Sequence, residues 1–233
     1  MNDTVDQLRS EEAVVALIHA VVPAMGPMQE AVSRGLPGAR VLNLLDEGLL
    51  SEVERRGGLT PECVDRLATL VGLASQAGAQ AVLLTCNAYT PVVAEVQARF
   101  PGLPVLPVDQ VMVEQAVAGA RRIGVLATVE AGLQQQRESL ARAADAAGKQ
   151  IEVVASLHPE AMAALQAGDA ERHDRILQAA LPVLAAQVEV VLLAQASMAR
   201  LVDKVPAGLP VTVLASPPLA VEALRERLRS AKR

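Results

Sequence analysis

The chain repeats itself. Ala81-Val-Leu-Leu-Thr-Cys-Asn-Ala-Tyr89 and Val190-Val-Leu-Leu-Ala-Gln-Ala-Ser-Met198 are both short apolar runs of strand type that end in small polar residues. Aligning Val82 on Val191 sets Cys86 against Gln195 and Asn87 against Ala196. Downstream, Gly102-Leu-Pro-Val105 answers Gly208-Leu-Pro-Val211. Upstream, Val14-Val-Ala-Leu-Ile-His-Ala20 answers Arg122-Ile-Gly-Val-Leu-Ala-Thr128, and Arg40-Val-Leu-Asn-Leu-Leu45 answers Gln150-Ile-Glu-Val-Val-Ala155. One such pair would mean little, because the strands of α/β proteins look alike. Four pairs in the same order, about 108 residues apart, indicate a duplicated unit.

Within each copy, apolar runs alternate with helical stretches. Residues 62–77 and 133–147 carry apolar side chains at three- and four-residue spacing and run out at Gly78 and Gly148, as helices do. The strands are continuously apolar, the mark of a sheet covered on both faces. Strand–helix alternation implies right-handed crossovers and parallel strands. The expected fold is therefore α/β: two similar doubly wound parallel-sheet lobes related by pseudo-twofold symmetry, with a cleft between them. The chain is expected to cross between lobes near Asp109 and again near Ser216-Pro217-Pro218. Residues 1–109 with 216–233 then form the first lobe and 110–215 the second, with a last helix over 219–229 returning to the first. Hydrophobic residues make up 52% of the 233, yet Tyr89 and Phe100 are the only aromatics, so Ala, Val and Leu must fill the core.

Charge and cysteine content exclude several functions. The net charge is −5 and no run of Lys or Arg exceeds a pair, so no nucleic-acid footprint is present. The longest apolar stretch, residues 13–25, is too short for a bilayer and holds His19 and Pro23. The opening segment, residues 1–6, is acidic where a secretory signal would be basic. A cytoplasmic protein with no membrane partner is expected. Cys63 and Cys86 show no C-x-x-C spacing, and His19, His158 and His173 are dispersed, so no metal is expected.

In open α/β sheets, ligands lie beyond the carboxyl ends of the strands. The loops at residues 19–23, 85–90, 128–130 and 195–197 would line the cleft. Cys86 follows a buried strand, and a helix is expected to start at Pro91 with Thr90 as its cap. Backbone N–H groups there would bind a carboxylate and favour a thiolate. A lone Cys after an apolar strand is otherwise core packing. Cys63, in the first turn of a helix capped by Thr60, reads as structural. His19 and Asp46 lie near strand ends, within reach of the cleft. His158, before Pro159, reads as structural, as does His173, in a charged helical surface. The first turn lacks G-x-G-x-x-G, and neither a P-loop nor a G-x-S-x-G elbow occurs.

These residues resemble the aspartate/glutamate/hydantoin racemase superfamily over nearly the whole chain. Leu84-Thr-Cys-Asn-Ala88 matches the first-lobe motif. Leu193-Ala-Gln-Ala-Ser-Met198 matches the second-lobe motif in frame, but Gln195 stands where the family carries a second cysteine. The resemblance implies metal- and cofactor-independent proton transfer beside a carboxylate, with one thiolate removing the α-proton and an opposed thiol supplying one. A carboxamide neither takes nor gives a proton near neutral pH. A one-cysteine variant is thus implied, with Cys86 as acid/base or nucleophile and His19 as a candidate second proton carrier. Asn87, Ala88, Thr128, Gln195, Ala196 and Ser197 would contact a small acid or amino acid. A one-cysteine decarboxylase and a non-catalytic two-lobed carboxylate-binding protein are the alternatives. The resemblance also implies a homodimer.

Overall fold

The computed structural model describes residues 13–206 and 208–231; the acidic opening segment lies outside them. In chain order the elements are β1 (Val14–His19), α1 (Met25–Gly35), β2 (Arg40–Leu45), α2 (Glu47–Arg56), α3 (Pro61–Gln76), β3 (Ala81–Leu84), α4 (Val93–Arg99) and β4 (Val105–Pro107). There follow α5 (Gln110–Gly119), β5 (Arg122–Ala127), α6 (Glu130–Ala146), β6 (Glu152–Leu157), α7 (Pro159–Gln166), α8 (Ala170–Ala185), β7 (Val190–Leu193), β8 (Thr212–Ala215) and α9 (Ser216–Ala231). Short 3-10 segments span Val22–Ala24, Asn87–Val92 and Ala196–Lys204.

The strands form two four-stranded parallel sheets, β2-β1-β3-β4 and β6-β5-β7-β8. The two orders are the same under the repeat, so the duplication read from the sequence is a duplication of topology. Pairing corrects its register in two places. Val14 pairs with Arg40 and Arg122 with Glu152, so Arg40 is equivalent to Glu152, two residues beyond Gln150. Likewise Val105, opposite Val82, is equivalent to Val213, opposite Val191, and not to Val211. The Gly-Leu-Pro signals mark turns, and the second lobe has two more residues between turn and strand.

The central strands β1, β3, β5 and β7 are buried on both faces, which is why they are nearly unbroken apolar runs. Ala16 and Ile18 of β1, with Val82 and Leu84 of β3, pack on the α3 side with Leu67 and Val71. Their alternates Val15, Leu17, Ala81 and Leu83 pack with Met28 and Val32 of α1 and with Val221 and Leu224 of α9. In the second lobe Ile123, Val125 and Leu192 face Leu140, while Val191 and Leu193 face Leu177 and Leu181. Gly78 and Gly148, with φ of 85° and 61°, follow α3 and α6 in the left-handed conformation that ends a helix.

The helix after Cys86 differs from expectation. The chain winds as a 3-10 segment through Pro91 and becomes α-helical only at Val93. Thr90 caps nothing, because its hydroxyl donates to Asp109 Oδ1 at 2.7 Å.

Candidate active site

The sheets present the carboxyl ends of their central strands to one cleft of about 690 Å³. From the first lobe it is lined by Ala20 and by the run Thr85, Cys86, Asn87, Ala88 after β3. From the second it is lined by Val129 and by Ala194, Gln195, Ala196, Ser197 after β7. Cys86, Asn87, Ala88, Gln195, Ala196 and Ser197 therefore come together as the sequence suggested.

Thr128 and His19 do not join them on the cleft wall. Thr128 is fully buried and turned onto Gln195: its backbone N–H and its hydroxyl donate to Gln195 Oε1 at 3.0 and 3.2 Å. Gln195 Nε2 lies against Gly132, where an added Cβ would stand 2.2 Å from it. The absence of a side chain at 132 is thus what admits the carboxamide.

His19 is also fully buried. Its Nδ1 lies 2.9 Å from Thr85 Oγ1 and its Nε2 2.9 Å from Asn43 Oδ1. Burial lowers its pKa, only partly offset by the Asn43 bond, so the ring is neutral near pH 7. Thr85 Oγ1 is also 3.1 Å from Ile18 O, so its one proton is shared between that carbonyl and, when the neutral ring donates from Nε2 to Asn43 Oδ1, His19 Nδ1. The ring stands behind the Cys86 loop, on the same side of the cleft. Asp46 is engaged elsewhere: it accepts Leu49 N at the start of α2 and pairs with Arg66 at 2.5 Å.

Other sequence readings sort as follows. Cys63 is buried beneath Thr60, whose hydroxyl accepts its backbone N–H, so it is structural, and neither cysteine is in a disulfide. His158 sits between Ser156 Oγ and Glu160 Oε1 at the start of α7. His173 is not on a charged surface. It is fully buried beside Asp174, because Leu177 and Leu181 on the same helix face turn that stripe inward. Arg200 and Lys204 reach Asp174, and Arg200 Nη1 donates to Ser197 O at 2.6 Å, so this cluster ties the Ser197 loop to α8.

Two cleft residues escaped the sequence reading. Asp109, noted there only as a crossing point, is 1% exposed and accepts hydroxyls from Thr90 and from Ser139 of α6. Its burial raises the carboxyl pKa against those bonds. Gln136 is also 1% exposed, and neither of its amide atoms has a partner among the described residues. Its place three residues after Leu133 and four before Leu140, on the apolar face of α6, was the available signal. No Lys, Arg or His is among the described residues lining the cleft, whereas Glu47 and Asp109 are.

Among the described residues no cluster of three or more His, Cys, Asp or Glu could hold a metal, and no helix is long and apolar enough to cross a membrane.

Comparison with known proteins agrees with this architecture. The chain superposes on glutamate racemase from Thermus thermophilus in complex with β-chloro-D-alanine with a TM-score of 0.65 at 18% identity, covering 95% of this chain and 82% of that one. Allantoin racemase from Klebsiella pneumoniae gives 0.65 at 15%, covering 94% and 88%. Picrophilus torridus aspartate racemase gives 0.63 at 12%, covering 94% of each. No curated protein matches the chain significantly. The family model for Asp/Glu/Hydantoin racemase matches residues 52–224, and with the two-lobed fold it supports an isomerase of the racemase type. The chain belongs to the Asp/Glu/hydantoin racemase family.

Proposed function

We propose that this protein transfers a proton at the carbon next to the carboxylate of a small acid or amino acid, with Cys86 as its single acid/base group and no cofactor. The observation that carries this reading is the inequality of the two loops. Cys86 lines the cleft, while the equivalent second-lobe residue is Gln195, held by Thr128. In the forward step the Cys86 thiolate takes the α-proton, and the C–H electron pair passes into the carboxylate-stabilised carbanion. In the return step the thiol, after exchange with solvent, gives a proton back to that carbon. Asn87 and Ser197 are the polar side chains beside the two strand ends that would orient the carboxylate. His19 would act on Cys86 only indirectly, by fixing the Thr85 hydroxyl.

With one proton carrier on one face, the same chemistry serves exchange with retention, isomerisation or decarboxylation with protonation. Inversion needs a second carrier that Gln195 does not supply. The test is loss of the α-proton signal by NMR in heavy water, across small amino acids and hydroxy acids. Wild-type protein and Cys63→Ser should exchange. Cys86→Ser should be slower by about 10²-fold or more, the usual worth of a positioned acid/base group. Undiminished exchange in Cys86→Ser would remove the thiol from the mechanism. Binding without exchange in the wild type would make the protein a carboxylate clamp.

A further inference from the structure

A single carboxylate joins the Cys86 loop to the helix on which Gln195 rests. Asp109 stands between β4 and α5, where the chain leaves the first sheet. Its Oδ1 accepts the hydroxyl of Thr90 at 2.7 Å, and Thr90 lies in the 3-10 segment that begins directly after Cys86. Its Oδ2 accepts the hydroxyl of Ser139 at 2.9 Å, and Ser139 lies on α6, two turns after Gly132. Ser139 is itself held by Arg142, whose Nη2 donates to its Oγ at 3.0 Å. Because α6 packs on the second sheet through Leu133 and Leu140, the carboxylate bridges the two halves of the molecule. It lines the cleft where it does so.

Three observations set this bridge apart from ordinary packing. Asp109 is 1% exposed and its burial opposes ionisation, a cost that an apolar side chain filling the same space would not carry. Both of its oxygens are committed, one to each half, so its place is fixed from two sides. The repeat does not copy it. Strand pairing and the match of Cys86 with Gln195 make Pro217 and Ala199 the counterparts of Asp109 and Thr90, and neither has a hydroxyl or a carboxylate. The bridge stands on the thiol side alone.

The loops after β3 and β7 face each other, so their separation decides whether a substrate seated on one meets the thiol of the other. We propose that Asp109 is a latch between the two halves, a positioning residue that holds the Cys86 loop at a fixed distance from the 195–197 loop. Its effect on rate rests on the proton-transfer reading of Cys86, and its effect on geometry does not.

The test reads the two effects apart. Nitroxide labels at Leu73→Cys on α3 and Val183→Cys on α8, positions 50% and 67% exposed, report the separation of the halves by pulsed electron spin resonance in a Cys63→Ser, Cys86→Ser background. The parent should give one narrow distance distribution. Asp109→Ala and Ser139→Ala should each widen or displace it beyond its original width, and combining them should add nothing further. In unlabelled protein that keeps Cys86, α-proton exchange across the same small amino and hydroxy acids should slow about 10-fold or more in Asp109→Ala, Ser139→Ala and Thr90→Val, and more in kcat than in KM. An unchanged distance distribution in the first two variants, additive changes in their combination, or exchange as fast as wild type in all three would each overturn the proposal. Exchange absent from the wild type, or indifferent to Cys86→Ser, defeats the proton-transfer reading instead, and the distance distributions still decide whether Asp109 is a latch.

Discussion

Thr128 gives two hydrogen bonds to a single acceptor, Gln195 Oε1, from its backbone N–H at 3.0 Å and its hydroxyl at 3.2 Å. The first-lobe residue equivalent to Thr128 is Ala20, which has no hydroxyl to direct at Cys86. The difference continues behind the loops. Strand pairing makes Asn43, His19 and Thr85 equivalent to Ala155, Ala127 and Ala194. A polar chain backs the thiol, and alanines back the carboxamide.

Those two Thr128 donors suit an anion as well as a carbonyl oxygen. A Cys sulfur at position 195 ends two bonds short of the place of Oε1, but it puts a thiol at the position equivalent to Cys86 and frees the Thr128 N–H and hydroxyl. Gln195→Cys should therefore add the missing carrier on the opposite face. Wild-type protein is expected to incorporate deuterium with retention of configuration, and Gln195→Cys to yield both enantiomers by chiral chromatography. Continued retention in the variant would show that the second loop is not aimed at the reacting carbon.

Gly132→Ala tests how firmly the carboxamide is seated. Alanine in place of glycine within a helix ordinarily stabilises by roughly 1 kcal/mol. Here the new Cβ would stand 2.2 Å from Gln195 Nε2, the far end of a flexible side chain, so the amide must swing away, and losing its two bonds from Thr128, worth about 1 kcal/mol each, should cancel or reverse that gain. Thermal or urea melts read the effect. In a Gln195→Ala background, where those bonds are already gone, Gly132→Ala should show the ordinary gain, a coupling a double-mutant cycle would report.

His19 predicts a pH dependence. Its folded pKa is below the ordinary value, first because of burial, so the unfolded chain binds this proton more readily. Its contribution to stability is complete above pH 6.5 and declines as the pH falls from there toward the folded value. His173, lowered by burial as well, adds to the same slope. Stability curves between pH 7.5 and 5 should be less steep in His19→Gln than in the wild type. An unchanged slope would assign all of it to His173.

The α/β class and the recurrence of the strands were legible because buried parallel strands must be continuously apolar and must recur with the repeat, whereas the strand order and the register of two of the four equivalences came only from the pairing. Cys86 and the small residues around 195 were legible because strand ends face the cleft in any such sheet. The direction of side chains was not. Thr128 and His19 occupy loop-end positions, and only three-dimensional packing decides that one turns onto Gln195 and the other back toward Asn43. The start of α4 slipped from Pro91 to Val93 because Thr90, a good cap by type, is claimed by Asp109 at the far end of the same lobe's chain. Gln136 was hidden among neighbouring glutamines of which only its own lies on the apolar stripe.

Asp109 and Asp174 should respond to acid in opposite senses. Burial pushes the Asp174 carboxyl upward, but hydrogen bonds from Arg200 and Lys204, with His173 alongside, outweigh it and hold the pKa at about 2. Its stabilisation, about 2 kcal/mol for a shift of this size, is complete above the ordinary carboxylate value and is lost as the pH falls from about 4 toward 2. Asp109 is raised by burial. Its ionised form costs stability above its folded pKa, and that cost disappears as the pH falls through it. In denaturant melts from pH 7 to pH 3, the advantage of wild type over Asp174→Asn should shrink as acid is added. The advantage of wild type over Asp109→Asn should grow. If both differences move the same way, the Asp109 carboxyl is not destabilised by its burial between Thr90 and Ser139.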